Sequence, residues 1–297
     1  MFCTAAPIRA GRRMSSAGDD RRRNRDLSSA GALLFILSVG ALPVASRAAP
    51  PYLTDDAGTQ GRGKWQLELT GEYVHHDRTA TVGGVPVNQV RNVTVLGPVL
   101  TYGIADDIDL ALGASRLRDR ITENGVVAQD TEGTGDSTIE VKWRVYERDG
   151  LSLAVKPGLL LPTGDESKGL GTGRVSWGIN GILTYETGPW TWLANLTYAE
   201  ARFKRPEDAE TNHRHLWRLS GGLGYRLNET LKLAAEVGIR TNPARDDPFL
   251  PGNNGHFVTL GAIFSPTENI DLALGLRKST NEGESDRAIP FGLTIRW

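Results

Sequence analysis

Apolar and polar residues alternate with a period of two along most of the chain, which is the pattern of a β-strand with one apolar and one polar face. The closing stretch shows it clearly, because Ile289, Phe291, Leu293, Ile295 and Trp297 share one parity. The sequence therefore predicts an all-β fold. Equivalent alternation predicts twelve strands, at residues 65–75, 90–102, 108–117, 139–146, 151–161, 173–186, 190–198, 214–226, 231–240, 258–264, 270–277 and 288–297.

The connections between these predicted strands alternate in length. Tight turns follow the second, fourth, sixth, eighth and tenth strands, whereas long polar connections such as 76–89 and 121–134 follow the first, third, fifth, seventh, ninth and eleventh. An even number of strands with this arrangement is typical of an up-and-down antiparallel barrel in a bacterial outer membrane. We therefore expect residues 65–297 to form a transmembrane β-barrel of 12 strands, with short periplasmic turns and long extracellular loops.

Alternation alone does not tell whether the apolar face points inward or outward. A barrel of about eight strands is just filled by its own side chains, so an apolar interior in a twelve-stranded barrel would be an empty hollow. We expect the apolar face to contact outer-membrane lipid, and the alternative is a secreted two-sheet sandwich that buries the same faces. Aromatic residues of the apolar parity favour lipid because they gather at two levels, as in membrane-interface girdles. The level at the short turns has Trp65, Tyr102, Tyr185, Trp190, Trp192, Tyr225, Phe264 and Trp297, and the other has Tyr73, Trp177, Tyr198 and Phe291.

The first 64 residues lack the strand pattern. An arginine-rich stretch at 21–25 precedes an apolar run at 30–45, and Ser46-Arg47-Ala48 offers a cleavage site of small residues. Residues 1–48 are therefore predicted to be a cleaved signal peptide. Residues 49–64 are polar and glycine-rich, which predicts a periplasmic N-terminal segment before the barrel.

Charge and cysteine content exclude some classes of function. The whole chain has a net charge of −1, and removing residues 1–48 takes away eight basic and three acidic residues, which leaves −6. This acidic balance gives no reason to expect nucleic acid as a partner. Cys3 is the only cysteine, so the exported protein is expected to have no disulfide and no thiolate metal site.

The polar parity holds seventeen charged residues, of which eleven are basic and six acidic. In a barrel they would line the lumen. Two interpretations remain open: a basic wall that favours anions or carboxylated aromatic compounds, and an ion-paired network that merely fills a narrow lumen. The candidates for the solute path are Glu68, Glu72, Glu140, Lys142, Arg144, Lys156, Arg174, Arg218, Lys232, Glu236, Arg240 and Arg277, with Glu186, Arg214, Arg226, Asp271 and Arg296 on the same parity.

The long connections carry further candidates. Asp165, Glu166 and Lys168 could fold inward as a constriction, and the alternative is a solvated loop with ordinary turns. The five histidines fall at the long-loop ends of strands, where a cluster could bind zinc or copper. No fixed ligand spacing supports such a site, so we predict no metal and no cofactor. The histidines are His75, His76, His213, His215 and His256.

An enzyme is the rival class, because some outer-membrane barrels hydrolyse lipids. His75 and His215 have the height and the parity that a lipid hydrolase needs. No serine or acid stands at a matching outward position, so these histidines lack the other two residues of a catalytic triad. A structural or adhesion barrel with a closed lumen is the other alternative.

Two parts of the sequence resemble known protein families. The strand from Ile289 to Trp297, which ends on an aromatic residue, resembles the C-terminal signature of bacterial outer-membrane barrels and implies recognition by the barrel-assembly machinery; tryptophan replaces the commoner phenylalanine. Residues 54–61 (Thr-Asp-Asp-Ala-Gly-Thr-Gln-Gly), Gly135-Asp136, 161–165 (Leu-Pro-Thr-Gly-Asp) and 169–173 (Gly-Leu-Gly-Thr-Gly) resemble outer-membrane transporters labelled as a MetA pathway of phenol degradation.

That family name implies transport of aromatic compounds. We therefore expect a passive channel or transporter in the outer membrane of a Gram-negative bacterium, through which small solutes, with aromatic or anionic compounds as candidates, diffuse along a charged lumen.

Overall fold

The computed structural model describes residues 50–245 and 247–297; the predicted signal peptide, residues 1–48, lies outside them. None of the helices within the described residues is long and apolar enough to cross a membrane. A 3₁₀ turn (Glu166–Lys168) and one short helix, α1 (Pro206–Thr211), lie in connections. The strands are β1 (Trp65–Val82), β2 (Val85–Ala105), β3 (Ile108–Gly113), β4 (Arg116–Glu123), β5 (Val126–Thr134), β6 (Ser137–Arg148), β7 (Leu151–Leu161), β8 (Ser176–Thr187), β9 (Trp190–Glu200), β10 (His215–Arg226), β11 (Leu231–Thr241), β12 (Asn254–Thr267), β13 (Ile270–Ser279) and β14 (Arg287–Arg296).

These strands form one closed antiparallel barrel. β1 pairs with both β2 and β14, which joins the two ends of the sheet. β3 and β4 pair with successive parts of β2 and are separated only by residues 114–115. Residues 135–136 separate β5 from β6 in the same way. Each of these two pairs is one interrupted barrel strand, so the barrel has the twelve strands that the sequence predicts.

The apolar parity faces outward. On β1, Glu68, Thr70 and Glu72 are buried inside the barrel, whereas Leu69 between them is 45% exposed. A continuous exposed apolar band is rare on soluble proteins and marks a surface that contacts lipid. The prediction of a transmembrane barrel is confirmed and the two-sheet sandwich is wrong. Other exposed residues of this band are Leu96, Leu112, Trp143, Leu159, Ile179, Leu196, Leu219, Val237, Leu260 and Leu274.

Aromatic rings lie at both ends of the outward band. At the end with the short turns, the ring centroids of Trp65 and Tyr102 are 4.5 Å apart, and those of Trp190 and Tyr225 are also 4.5 Å apart. At the opposite end, the rings of Trp177 and Tyr198 are 5.7 Å apart. The two predicted aromatic levels are therefore present.

The two ends of the barrel differ in their connections. Tight turns join β2 to β3, β6 to β7, β8 to β9, β10 to β11 and β12 to β13, and we call this end the short-turn end. At the long-loop end, residues 76–89 and 121–134 are largely β-hairpins rather than the irregular loops that their polarity suggested. Gly83-Gly84 and Asn124-Gly125 make their turns with positive φ angles, which suits two-residue hairpin turns.

Candidate functional site

The segment that precedes β1 lies inside the barrel. Residues 50–60 cross the lumen, from contacts with β12, β13 and β14 to contacts with β3. We call these residues the lumenal segment. The sequence predicts that residues 49–64 are a periplasmic segment before the barrel, but the structure places residues 50–60 within the barrel. The reason is that the polar groups of the segment find partners on the inward, polar face of the wall.

Asp55 of the lumenal segment lies between two lysines of the wall. Its Oδ1 is 3.1 Å from Nζ of Lys142 on β6, and its Oδ2 is 3.1 Å from Nζ of Lys156 on β7. On its other side, Lys156 Nζ lies 3.3 Å from a carboxylate oxygen of Glu140. Because Asp55 and Lys156 are buried, breaking this arrangement would leave charges unpaired away from water. Lys142 also donates hydrogen bonds to the backbone carbonyls of Asp56 and Gly58, at 2.8 and 3.3 Å.

Glu236 on β11 holds the part of the segment just before Asp55. Its Oε1 accepts hydrogen bonds from the backbone N–H of Leu53 at 2.8 Å, the N–H of Thr54 at 2.7 Å and the Thr54 hydroxyl at 2.7 Å. Its Oε2 accepts one from the Thr259 hydroxyl at 3.1 Å. Hydrogen bonds to a charged acceptor are among the strongest in proteins. One carboxylate therefore satisfies two backbone donors of a segment that has no strand partner of its own.

The start of the lumenal segment packs where the wall lacks side chains. A Cβ atom on Gly275 would lie 2.7 Å from Cβ of Pro51, and one on Gly292 would lie 2.6 Å from Cγ of Pro50. These glycines let the chain approach the sheet closely. Tyr52 follows, and its hydroxyl donates to the carbonyl of Leu223 at 2.9 Å.

The end of the segment is anchored on the opposite wall. The N–H of Ala57 donates to the Thr184 hydroxyl at 2.9 Å, and the N–H of Gln60 lies 3.1 Å from both carboxylate oxygens of Asp109. The Thr59 hydroxyl donates to the carbonyl of Asp106 at 2.7 Å. The whole lumenal segment is thus fixed to the wall along its length.

Two long connections enter the lumen nearer the long-loop end. Leu170, from the connection after β7, and Leu250, from the connection after β11, are buried in one apolar cluster with inward side chains of the wall. The carbonyl of Leu250 accepts a hydrogen bond from Nδ2 of Asn242 at 2.7 Å. These side chains form an apolar cluster on the side of the lumen made by β14, β1, β2 and β4. The wall contributes Val74, Val93, Val95, Leu117 and Ala288 to this cluster.

Asp136, in the interruption between β5 and β6, shapes the connection that carries Leu170. Its carboxylate accepts hydrogen bonds from the N–H of Gly164 at 2.9 Å, the N–H of Thr172 at 2.8 Å and the Thr172 hydroxyl at 2.9 Å. The carboxylate therefore brings the two ends of 164–172 together. The sequence motifs 135–136, 161–165 and 169–173 meet at this point.

The predicted constriction residues of that connection are not the ones that enter the lumen. Asp165 and Lys168 have largely exposed side chains and pair with each other at 3.3 Å. Hydrogen bonds from the Ser167 hydroxyl and from Lys168 lower the pKa of Asp165. The Glu166 side chain pairs with Lys204, which lowers its pKa. The connection does fold inward, but through Leu170, because only an apolar side chain fits the apolar cluster there.

The predicted solute-path residues fall into three groups. Glu68, Glu72, Glu140, Lys156, Arg218, Glu236, Arg240 and Arg277 are buried within the barrel, and Lys142, Arg144 and Lys232 are half-buried at its inner face. Arg174 is exposed in the connection before β8, since that strand begins only at Ser176.

Most of the buried cations have a carboxylate partner. Arg277 forms an ion pair with Glu72, and Arg240 forms two hydrogen bonds of 2.6 Å with Glu284. Arg218 is 2% exposed and donates a long hydrogen bond of 3.4 Å to the Thr197 hydroxyl. Its Nε has no hydrogen-bond partner among the described residues. The buried charged residues therefore form the ion-paired network that was one of the two interpretations. Arg218 is the member of this network whose guanidinium is incompletely hydrogen-bonded among the described residues.

Two cavities flank the lumenal segment. One, of about 480 Å³, is lined on one side by Asp55, Lys142 and Lys156 and reaches Lys64 and Asn269 at the short-turn end. The other, of about 470 Å³, lies between the segment and the wall from β6 to β14. Volumes of this size are typical of small-molecule sites.

The histidines do not form a catalytic or metal site within the described residues. His75 is hydrogen-bonded to Asn92 at 2.9 Å and His215 to Tyr198 at 2.7 Å, so neither has the serine partner that a triad requires. His76 is buried against the carbonyl of Phe249 at 3.1 Å. The part of the chain that the structure describes contains no group of three or more His, Cys, Asp or Glu placed to hold a metal ion.

Sequence reasoning missed the parts of the site that come from irregular segments. Asp55, Asp136 and Leu170 have no strand parity that would reveal which way they point. Gly, Thr and Asp are concentrated in 54–61 and 161–173. This composition predicts turns, but it does not indicate which side chains enter the lumen. The buried pair Arg91 and Asp119, joined at 2.9 Å, was also missed.

The closed barrel, its outward apolar band and its polar lumen define a transmembrane β-barrel. The COG4313 outer membrane channel from Pseudomonas putida F1 is similar, with a TM-score of 0.61 and 16% identity over 82% of this chain and 98% of that chain. The NanC porin has a TM-score of 0.50 and 12% identity over 77% of this chain and 98% of that chain. At these identities the likeness shows the fold alone, and no curated protein matches the sequence significantly.

The family model described as "Putative MetA-pathway of phenol degradation" matches residues 54–297, and the chain belongs to that family. The match includes the lumenal segment from Thr54 onward, which agrees with the resemblance found in the sequence.

Proposed function

We propose that the protein is a passive outer-membrane channel for small solutes, with aromatic or anionic compounds as candidates, and that the lumenal segment closes it at rest. The observation that carries this proposal is the lumenal segment itself, which is held to the wall mainly by polar contacts that water or a solute can replace. A lumen meant to stay shut would be filled more simply by apolar side chains.

Three features support the choice of solutes. The family description refers to phenol degradation, and the two similar structures are named as a channel and a porin. The lumen carries the buried Arg218, whose Nε has no hydrogen-bond partner among the described residues, and its local potential favours anions. In this proposal residues 1–48 are removed on export, the short turns face the periplasm and β14 is recognised by the assembly machinery.

A structural barrel with a permanently closed lumen is the second candidate. It is favoured by the apolar cluster of Leu170 and Leu250, which occupies part of the lumen in addition to the lumenal segment. In that case removal of the lumenal segment would not open a path. The two candidates therefore differ in what happens when the lumenal segment is deleted.

The test compares the purified protein with a variant that lacks residues 50–60, by planar-bilayer conductance and by swelling of liposomes in small sugars and aromatic acids. We expect low, intermittent conductance from the intact chain and a several-fold increase from the variant, because the deletion removes the layer held by Asp55 and Glu236. Heat-modifiable migration on gels shows that both barrels are folded.

A folded deletion variant that admits no solute would overturn the channel proposal in favour of the structural barrel. Release of fatty acid from the same liposomes would instead indicate the lipid hydrolase that the arrangement of His75 and His215 argues against.

A further inference from the structure

We infer that Lys142 and Lys156 form a carboxylate-binding site and that Asp55 occupies this site as an internal ligand, so that a small monocarboxylate solute releases the lumenal segment by taking its place. This inference rests on the proposed channel function, which it deepens by naming the class of solute and the residues that bind it.

The geometry of Asp55 is that of a bound carboxylate. Each of its two oxygens lies 3.1 Å from a different ammonium group, one from each of two neighbouring strands. Charge-assisted hydrogen bonds of this kind depend on the carboxylate and not on the residue that carries it. A solute carboxylate in the same place would make the same two contacts.

The site is open to a competitor while Asp55 is bound. The cavity of about 480 Å³ touches Asp55, Lys142 and Lys156 directly and extends toward Lys64 and Asn269 at the short-turn end. Val99 and Ala111, whose side chains face inward, supply part of its lining. A carboxylate with a small apolar body therefore fits the chemistry of the cavity beside the lysines.

The neighbouring acids restrict the site to one negative charge. Glu140 already pairs with Lys156, and Glu68 and Asp109 line the same cavity. A second carboxylate next to the first, as in an ortho-dicarboxylate, would face these acids, because the other cations of the cavity, Lys64 and Arg296, lie at its short-turn end and Arg296 pairs with Asp271. This arrangement is unfavourable in a poorly hydrated site. The site should therefore prefer monocarboxylates to dicarboxylates of this kind.

Benzoate, benzamide and phthalate are suitable probes, because benzamide is the neutral analogue and phthalate carries a second carboxylate. In planar bilayers, benzoate should raise the open probability of the intact protein, whereas benzamide and phthalate should not. Removal of the internal ligand by Asp55→Asn should raise the open probability without any solute. It should also tighten benzoate binding in titration calorimetry by roughly tenfold, because the site is no longer occupied.

Adding Lys142→Gln and Lys156→Gln to the Asp55→Asn variant should abolish benzoate binding. Asp149→Asn, which makes the same change of charge in the exposed turn between β6 and β7, is the matched control and should behave like the intact protein. The inference is overturned if Asp55→Asn binds benzoate no more tightly than the intact protein, or if binding survives the loss of both lysines. Failure of the channel function looks different: benzoate would bind as expected, but neither Asp55→Asn nor the deletion of residues 50–60 would conduct.

Discussion

At the scale of single residues, the lumenal segment and the wall match donor to acceptor. Asp55 meets two lysines, and Glu236 meets two backbone N–H groups and two hydroxyls. The parity of the strands indicated correctly that Lys142, Lys156 and Glu236 face the interior. It could not indicate their partners, because those partners lie in a segment without any periodicity.

Glu236→Gln tests the strength of this matching. The amide keeps one acceptor oxygen but loses the charge, and hydrogen bonds to charged groups exceed neutral ones by about 1 kcal/mol. A closed state weakened by about 1 kcal/mol should open roughly fivefold more often. Single-channel recordings of open probability measure this directly.

Glu268→Gln is the control for that variant, because Glu268 is exposed in the turn between β12 and β13. It should leave the open probability unchanged. An unchanged open probability in Glu236→Gln as well would show that the contacts of Glu236 do not hold the closed state.

At the scale of elements, alternation predicted the membrane-spanning strands because each must show apolar side chains to lipid and polar ones to the lumen. The same rule fails beyond the membrane. Residues 76–89 and 121–134 have no lipid to contact and carry polar side chains on both faces, yet they remain paired as hairpins. Asn124-Gly125 is a strong hairpin-turn signal and could have revealed one of them.

Gly275→Ala tests whether the glycines of β12 to β14 seat the start of the lumenal segment. The added Cβ would lie 2.7 Å from Pro51 Cβ, which is too close for both to stay in place. We expect Pro51 and Tyr52 to leave the wall, so that chymotrypsin cleaves after Tyr52 several times faster than in the intact protein. Mass spectrometry of the fragments measures the rate.

The matched control is Gly181→Ala on β8, where the nearest atom to an added Cβ is 3.7 Å away. Its cleavage rate should equal that of the intact protein. Equal rates in Gly275→Ala would mean that the segment does not depend on this close approach.

At the scale of the whole molecule, the barrel buries many charged residues in its lumen and exposes large apolar residues on its outer face, which is the reverse of the usual arrangement in soluble proteins. This inversion was predictable, because twelve alternating strands cannot fill their own interior with apolar side chains. The contents of the lumen were not predictable, since the lumenal segment and the connections that carry Leu170 and Leu250 are irregular segments. Parity says nothing about the direction in which such segments fold.

Leu196→Arg tests the outward assignment. Leu196 is 60% exposed on β9, between the aromatic levels of Trp192 and Tyr198. A cation placed toward the middle of the bilayer costs about 2–4 kcal/mol in barrels of this type. Urea unfolding of the protein in lipid vesicles should show that loss.

Leu196→Ala is the control for this substitution and should cost much less, since it removes apolar area without adding a charge. If arginine were tolerated as well as alanine, this face could not be in contact with hydrocarbon.

Residues 61–64 join the lumenal segment to β1, and β1 is the strand on which the barrel closes, through pairing with β14. Once released, residues 50–64 can reach no farther than about 50–54 Å from that anchor. The released lumenal segment therefore stays tethered near the lumen, at an effective concentration on the order of millimolar. Reclosure should be a first-order process whose rate is the same for one molecule in a bilayer as for many.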